Sequence, residues 1–354
     1  MGCRGDLERT IQDRGDLERT IHDRGDLERT IQDRGDLERT IQDRALGAYL
    51  GLAIGDALGA TVEFMTPREI ARQYGTHNRI LGGGWLKIEA GQVTDDTTMS
   101  LALGDAIVER SGFDTRAVAE SFARWLRARP VDVGNTCRRA IERYISQRTL
   151  AGPQSEGDAG NGACMRNLPV ALLSLEDDAA FESNTIAQAH ITHHHPLSDA
   201  ATLALGHMVR HLVRSGDMTA CGAEAESLVR AHPQFRFKPY PGRASGYIVD
   251  TVQTVLHGFF THDGFEACLI ATVNRGDDAD TTGALAGMLA GARCGASGLP
   301  ARWLGRLDRG IVRRITQQTT ALRALGPGCV QHAHPRWTEH RHDSYRLLRE
   351  AGLR

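Results

Sequence analysis

ALGAYLGLAIGDALGATVEF runs from Ala45 to Phe64 and carries Gly47, Gly51, Gly55 and Gly59 at intervals of four. On an α-helix that spacing lines the glycines along one face. A glycine inside a helix costs about 1 kcal/mol against alanine, so a ladder of four requires an offsetting gain. Close approach of two helix backbones is the gain that small residues at this spacing provide. The stretch is long and apolar enough to be weighed as a membrane span. Asp56 lies near its middle and Glu63 near its end, however, and an unpaired acid is costly in a bilayer. It reads as a buried helix of a soluble protein that is not an integral membrane protein.

A second ladder, Gly283, Gly287, Gly291 and Gly295, repeats the device near the other end. Both helices are expected to be central and tightly packed, each a candidate partner for the other. Between them apolar residues recur at helical spacing: Met99, Leu103, Ala106 and Ile107; Val118, Phe122, Trp125 and Leu126; Leu203, Leu205, Val209 and Leu212; Leu285, Met288, Leu289 and Ala292. The breaks carry turn residues, as at Ser111-Gly112, Gly152-Pro153 and Ser215-Gly216, and the segments between them are helix-sized. The pattern predicts an all-α fold, a compact single domain of ten or more helices over residues 44–325.

Composition narrows the class. With 354 residues the chain has ample material for a core. A net charge of −2 gives no electrostatic case for nucleic acid as the main partner. Lys87 and Lys238 are the two lysines, so arginine supplies nearly all the positive charge, as a GC-rich coding sequence would explain. Seven scattered cysteines without a CxxC pair suit a cytoplasmic setting with free thiols rather than a disulfide framework. Residues 4–43 are four copies of RGDLERTIQD, identical except for His22. Leu and Ile recur there at spacings of 4 and 6, which forms no continuous helical stripe. Residues 1–43 are expected to be a charged extension, flexible or a frayed helix, and 326–354 a His/Arg-rich tail or surface helix.

Two acid-and-hydroxyl clusters each precede a packed helix. Thr94, Asp95, Asp96, Thr97 and Thr98 stand in GQVTDDTTMSLAL, and Asp277, Asp278, Asp280, Thr281 and Thr282 in NRGDDADTTGALAGMLAGA. Asp and Thr are favoured helix caps, and acids suit the positive end of the helix dipole. Capping needs one or two such residues, not four. Crowded carboxylates repel one another unless something positive sits among them, and oxygen-only donors select hard cations such as Mg²⁺, Mn²⁺ or Ca²⁺. Two clusters sharing carboxylates suit a dinuclear centre that activates water and orients substrate oxygens.

Further candidates are polar residues beside glycine. Asp56 and Glu63 lie on or just beyond the first ladder helix. RPVDVGNTCRRA puts Asp132 and Asn135 in a loop before a helix. GDAGNGACMRNLPVAL, with Gly160 and Gly162, has the form of a loop that cradles phosphate with backbone N–H groups. In ITHHHPLSDA three adjacent histidines, His193, His194 and His195, cannot all face one metal, so a substrate contact by one of them is the better reading. GRASGYIVDT supplies Ser245 and Tyr247, whose ring is suited either to stacking on a base or to core packing.

The ordered set GDALG…E, TDDT, VGNT, GNGAxMR, THxHP, SGY and GDADTxGAxxG resembles the ADP-ribosylglycohydrolase family over about residues 44–325. Each motif alone is weak, whereas seven in this order are specific. The resemblance implies a dinuclear Mn²⁺ (or Mg²⁺) site with Thr94, Asp95, Asp96, Asp278, Asp280 and Thr281 as ligands. It implies removal of ADP-ribose from an arginine of a target protein, with Asp132, Glu63 and Asp96 in catalysis. Asn135, Gly160, Gly162, His193, Ser245 and Tyr247 match substrate-contacting positions. The bacterial branch that it resembles most implies dinitrogenase reductase as target and a PII signal protein as regulator. O-linked ADP-ribose or a related small molecule as substrate, or a catalytically silent ADP-ribose-binding member, are the alternatives.

Overall fold

The computed structural model describes residues 32–33 and 35–326. The chain divides into two units, Met1–Ile41 and Gln42–Arg354. In the first, residues 32–33 and 35–41 are helical. Most of the decapeptide copies and nearly all of the tail at 326–354 lie outside the described residues.

The second unit is all-α, and its described residues form no strand. Helix α1 (42–59) carries the first ladder. There follow α2 (Pro67–Tyr74), α3 (Asp95–Arg110), α4 (Thr115–Arg127), α5 (Asn135–Gln147), α6 (Leu168–Leu173), α7 (Asp178–Ala189) and α8 (Pro196–Ser215). The series ends with α9 (Met218–Ala231), α10 (Ile248–Thr261), α11 (Phe265–Val273), α12 (Ala279–Cys294), α13 (Ala301–Leu304) and α14 (Arg309–Leu325).

Helix α12 is buried without interruption from Ala279 to Ala292, as expected of a helix that is apolar all round once past Asp280 and the threonines of its first turn. It packs on α8, α10, α11 and α3. Against it lies α1, and the two ladders face each other antiparallel. A side chain at Gly47 would strike the Gly291 carbonyl, one at Gly51 that of Gly287, one at Gly55 that of Gly283, and one at Gly59 that of Ala279. The reverse holds for Gly283, Gly287 and Gly291 against Gly55, Gly51 and Gly47. Main chain therefore touches main chain along four turns, which is what offsets the cost of the glycines. The contact also sets the start of α12 beside the end of α1.

Helix α3 completes the centre, packed on α4, α6 and α14. Buried side chains lock it to its neighbours. The Tyr49 hydroxyl donates to Gln318 Oε1 (2.7 Å), and Gln318 Nε2 donates to the Leu101 carbonyl (2.9 Å). No described helix is long and apolar enough to cross a membrane.

Candidate active site and metal centre

Thr94 and Asp278 occupy the N-cap positions of α3 and α12, yet neither side chain caps its helix. For α3 the capping comes from another helix. Asp56, fully buried on α1, accepts from the backbone N–H of Thr94 (2.9 Å) and Thr97 (3.1 Å) and from the Thr97 hydroxyl (2.5 Å). Burial raises the Asp56 carboxyl to about 6, against the lowering by these donors. Capping explains Asp56, not the rest of the cluster.

The freed groups meet one another. Thr94 Oγ1 lies 3.4 Å from Asp96 Oδ2 and 3.4 Å from Asp280 Oδ2, and Thr281 Oγ1 donates to Asp96 Oδ2 at 3.2 Å. Residues 186 positions apart thus share one pit. Glu63, Asp278 and Asp280 bring one oxygen each to within 4.8 Å of one another. Asp278 also accepts from Asn161 Nδ2 (2.5 Å). Asp95 takes the backbone N–H of Gly134 (3.1 Å), and Asp132 lies near enough for its charge to act on the Asp95 carboxyl. The loop acid is thereby tied to the pit.

Burial and mutual repulsion make this an electrostatically unsatisfied assembly. Burial, then the Asp132 charge, raises Asp95 to about 8. Burial raises Glu63 to about 8, with Asp132, Asp278 and Asp95 adding to it. Asp96 and Asp280 rise well above the usual carboxylate range from the same two causes. Asp96 Oδ1 and Asp280 Oδ1 are buried without a hydrogen-bond partner. Orphaned carboxylate oxygens facing hydroxyls and more carboxylates are the donor set of a hard divalent cation. The residues present therefore fit such an ion.

The loop between α1 and α2 is held onto the loop before α12 through its main chain. Phe64 N–H donates to the Asp277 carbonyl (2.7 Å) and Asp277 N–H to the Met65 carbonyl (2.9 Å). Both Phe64 and Asp277 take the left-handed backbone (φ 61° and 55°), an uncommon conformation for residues with side chains. Asp277, outside the D-x-D-T pattern, thus serves by its backbone to keep Glu63 beside Asp278 and Asp280.

His193 is buried, with burial holding its imidazole down to about 3 and hence neutral. Buried Arg166 donates to Thr192 Oγ1 (2.8 Å) and stacks over Phe122, leaving the Thr192 proton for His193 Nδ1 (2.8 Å). The proton of His193 is then on Nε2. A Cβ at Gly160 would approach that Nε2 (3.1 Å), and one at Gly162 would crowd His193 Cε1 (2.7 Å). Both glycines make room for this ring, a role the phosphate-cradle expectation does not contain. Gly160 also bridges to Tyr247, and Asn161 N–H donates to the Gly246 carbonyl (3.2 Å). Ser245 Oγ donates to Asp250 (2.6 Å) and accepts from Tyr247 N–H (3.3 Å), so it shapes the start of α10. The Tyr247 ring is 44 % exposed, which excludes core packing. Asn135 opens α5 at the surface, two residues after Val133.

Three contributors go beyond the predicted site residues: Asn161, Arg166 and Trp85. The first two stand inside a quoted motif, where Gly160 and Gly162 drew attention instead. Trp85, whose Nε1 donates to Glu63 Oε2 (2.6 Å), stands in no motif.

Comparison with known proteins agrees with this geometry. The profile of the ADP-ribosylglycohydrolase family matches residues 37–331. The ADP-ribosyl-[dinitrogen reductase] glycohydrolase of Rhodospirillum rubrum is 59 % identical over 281 residues, 79 % of this chain and 96 % of that one. The ADP-ribosylarginine hydrolase Tri1 of Pseudomonas putida (strain GB-1) is 33 % identical over 278 residues, 74 % of each chain. A solved structure described as an ADP-ribosylglycohydrolase-related protein complex superposes with a TM-score of 0.72 at 32 % identity, covering 81 % of this chain and 99 % of that one. The acid pit and these likenesses converge on one conclusion: the chain belongs to the ADP-ribosylglycohydrolase family.

Proposed function

We propose that this chain is a hydrolase that removes ADP-ribose from a modified arginine of a target protein by cutting the N-glycosidic bond at the ribose C1″. The observation that carries the reading is the convergence of Thr94, Asp95 and Asp96 with Asp278, Asp280 and Thr281 in one buried pit with orphaned carboxylate oxygens. The relatives at 59 % and 33 % identity, whose names specify dinitrogen reductase and ADP-ribosylarginine, support arginine as the attachment point and dinitrogenase reductase as the target. The cofactor we propose is a pair of Mn²⁺ ions, or Mg²⁺, held by those six residues. Bound there, the ions supply charge neutralisation and Lewis-acid polarisation of sugar oxygens.

The chain's own groups divide the remaining work. Asp132, whose carboxyl burial raises above its ordinary value, orients the leaving guanidine and delivers the proton to its nitrogen. Glu63 positions the attacking water and accepts its proton, so that hydroxyl ends on C1″ and hydrogen on nitrogen. Asp96 stands beside the sugar as positive charge develops at C1″ in an oxocarbenium-like transition state. His193 Nε2–H, Asn135 and the backbone at Gly160 and Gly162 contact the ribose-phosphate portion. Ser245 sets the turn from which Tyr247 offers its ring to the base.

Residues 1–43 and 326–354 lie outside this machinery in the proposal. A PII-type regulator enters it through the resemblance alone. The setting proposed is cytoplasmic, in keeping with the unpaired Cys137, Cys164, Cys221, Cys268 and Cys294.

The test is release of labelled ADP-ribose from arginine-, serine- and nucleotide-linked substrates, each with Mn²⁺ and with chelator. Release from the arginine conjugate that depends on Mn²⁺ is expected. Release from the serine conjugate alone would replace the arginine reading, and no release under any condition would leave a silent binding protein.

A further inference from the structure

Glu63 differs from its acidic neighbours in having an uncharged ring donor. Trp85 Nε1 lies 2.6 Å from Glu63 Oε2, and the two residues are 22 positions apart. The loop that bridges them is built for this meeting. Gly82, Gly83 and Gly84 all adopt positive φ (70°, 80° and 64°). Gly83 and Ile88 exchange backbone hydrogen bonds (2.7 and 3.1 Å), closing a tight turn with Trp85 inside it. A side chain at Gly84 would strike the Ala60 carbonyl, so only glycine lets the loop lie flat on the turn that carries Glu63.

Core packing does not account for the indole. Trp85 is 52 % exposed and its ring partner Phe64 is 60 % exposed, with centroids 5.2 Å apart and planes tilted by 54°. Half of a large apolar ring is left in water while its polar tip reaches a carboxylate that is itself buried. The choice of donor is informative. A lysine or arginine here would also bind Glu63, but its charge would neutralise the pit and compete with a cation. The indole N–H orients the carboxyl group without adding a positive charge, on a side chain with only two rotatable bonds.

We infer that Trp85 is a positioning residue that aims the Glu63 carboxylate into the acid pit. Phe64 steadies the ring from the side, and the Phe64–Asp277 backbone pairing clamps the same turn from the other. With Oε2 fixed by the indole, the carboxyl group keeps acceptor capacity to act on water or cation. Donors to carboxylates that work on a metal or its water carry effects of about 10- to 100-fold in activity or metal affinity when removed.

The inference rests on the hydrolase reading, and the experiment separates the two. Release of ADP-ribose by the wild-type protein tests the reading. The inference is tested by Trp85→Phe, which keeps an aromatic ring and loses the donor, and by Trp85→His, whose Nε2 falls at the place of the indole nitrogen in the five-membered ring. Both are measured in the wild-type and Glu63→Gln backgrounds, for kcat, KM and, by calorimetry on protein without substrate, Mn²⁺ affinity. Trp85→Phe is expected to lower kcat or Mn²⁺ affinity about tenfold with KM within about twofold. Trp85→His is expected to recover most of that loss. In the Glu63→Gln background neither variant should have a further effect, because the group they act through is gone. Values within about twofold of wild type in both readouts, or equal losses in both backgrounds, would overturn the inference even if the wild type is active.

Discussion

Asp56 caps the helix that Thr94 begins. Its carboxylate, on α1, takes the Thr94 N–H at 2.9 Å, and Thr94 turns its hydroxyl instead toward Asp96 and Asp280. A cap supplied in trans releases the local cap for the site. Asp56→Ala strands two buried N–H groups and a hydroxyl, and is expected to destabilise the protein by about 3 kcal/mol. Urea unfolding without metal should show the loss, with Mn²⁺ affinity reduced as Thr94 shifts.

The ladders make a sharper contrast. Gly55→Ala pushes a methyl group into the Gly283 carbonyl, which has no rotamer by which to yield. The expected loss is about 3 kcal/mol or more, seen as insolubility or a collapsed denaturation midpoint. Gly222→Ala on α9 is the control, since nothing lies within 4 Å of its added carbon. There the helix should gain about 0.5–1 kcal/mol.

Replacing a pit acid should separate stability from function. Asp280→Asn removes a buried charge crowded by Glu63, Asp278 and Asp96. The metal-free variant is expected to melt higher than metal-free wild type. Added Mn²⁺ should raise the wild-type midpoint, by the equivalent of about 2.7 kcal/mol at a hundredfold excess over Kd, and leave the variant unmoved. Scanning fluorimetry with and without Mn²⁺ reads both effects.

In the proposed reaction Asp132 handles the leaving guanidine and has no part in holding the fold. Asp132→Ala is expected to lower kcat by about 10²-fold or more, with ADP-ribose still bound measurably by calorimetry. Wild-type turnover in this variant would remove Asp132 from the mechanism.

Stability of the metal-free protein should fall as pH rises. Glu63 and Asp95 are raised in the folded state to about 8, above their ordinary 4.5 and 3.8. Over that interval the folded protein holds more protons than the unfolded chain, so unfolding free energy declines with increasing pH. His193, lowered from 6.5 to about 3, acts in the opposite sense below 6.5 and is silent above it. The decline is therefore cleanest between about pH 6.5 and about pH 8. Mn²⁺ should flatten it, because the cation favours the deprotonated acids.

The parts of this site that could be read in the chain are those written as local pattern. The paired ladders announced two backbone-close helices, and the two clusters exceeded what capping needs, so Thr94–Asp96 and Asp278–Thr281 were legible as one site. What escaped depends on where loops land. Trp85 reaches Glu63 through three left-handed glycines with no periodicity to follow. Asp56 reads in the sequence only as a candidate polar residue beside glycine, and it is the cap of a different helix. Gly160 and Gly162 signalled a phosphate cradle by composition, whereas a buried imidazole against them gives a further reason for their lack of side chains.

The seam between α1 and α12 has a last consequence. Interfaces made of side chains breathe by changing rotamers, and they drift through small substitutions that each nudge a helix by a fraction of an ångström. A seam of bare main chain has no such intermediate settings. It acts as a ruler, holding the Glu63 end of one helix at a set separation from the Asp280 end of the other. Retuning the proposed cation site must then proceed by exchanging donor atoms, because the helices themselves cannot be moved by degrees.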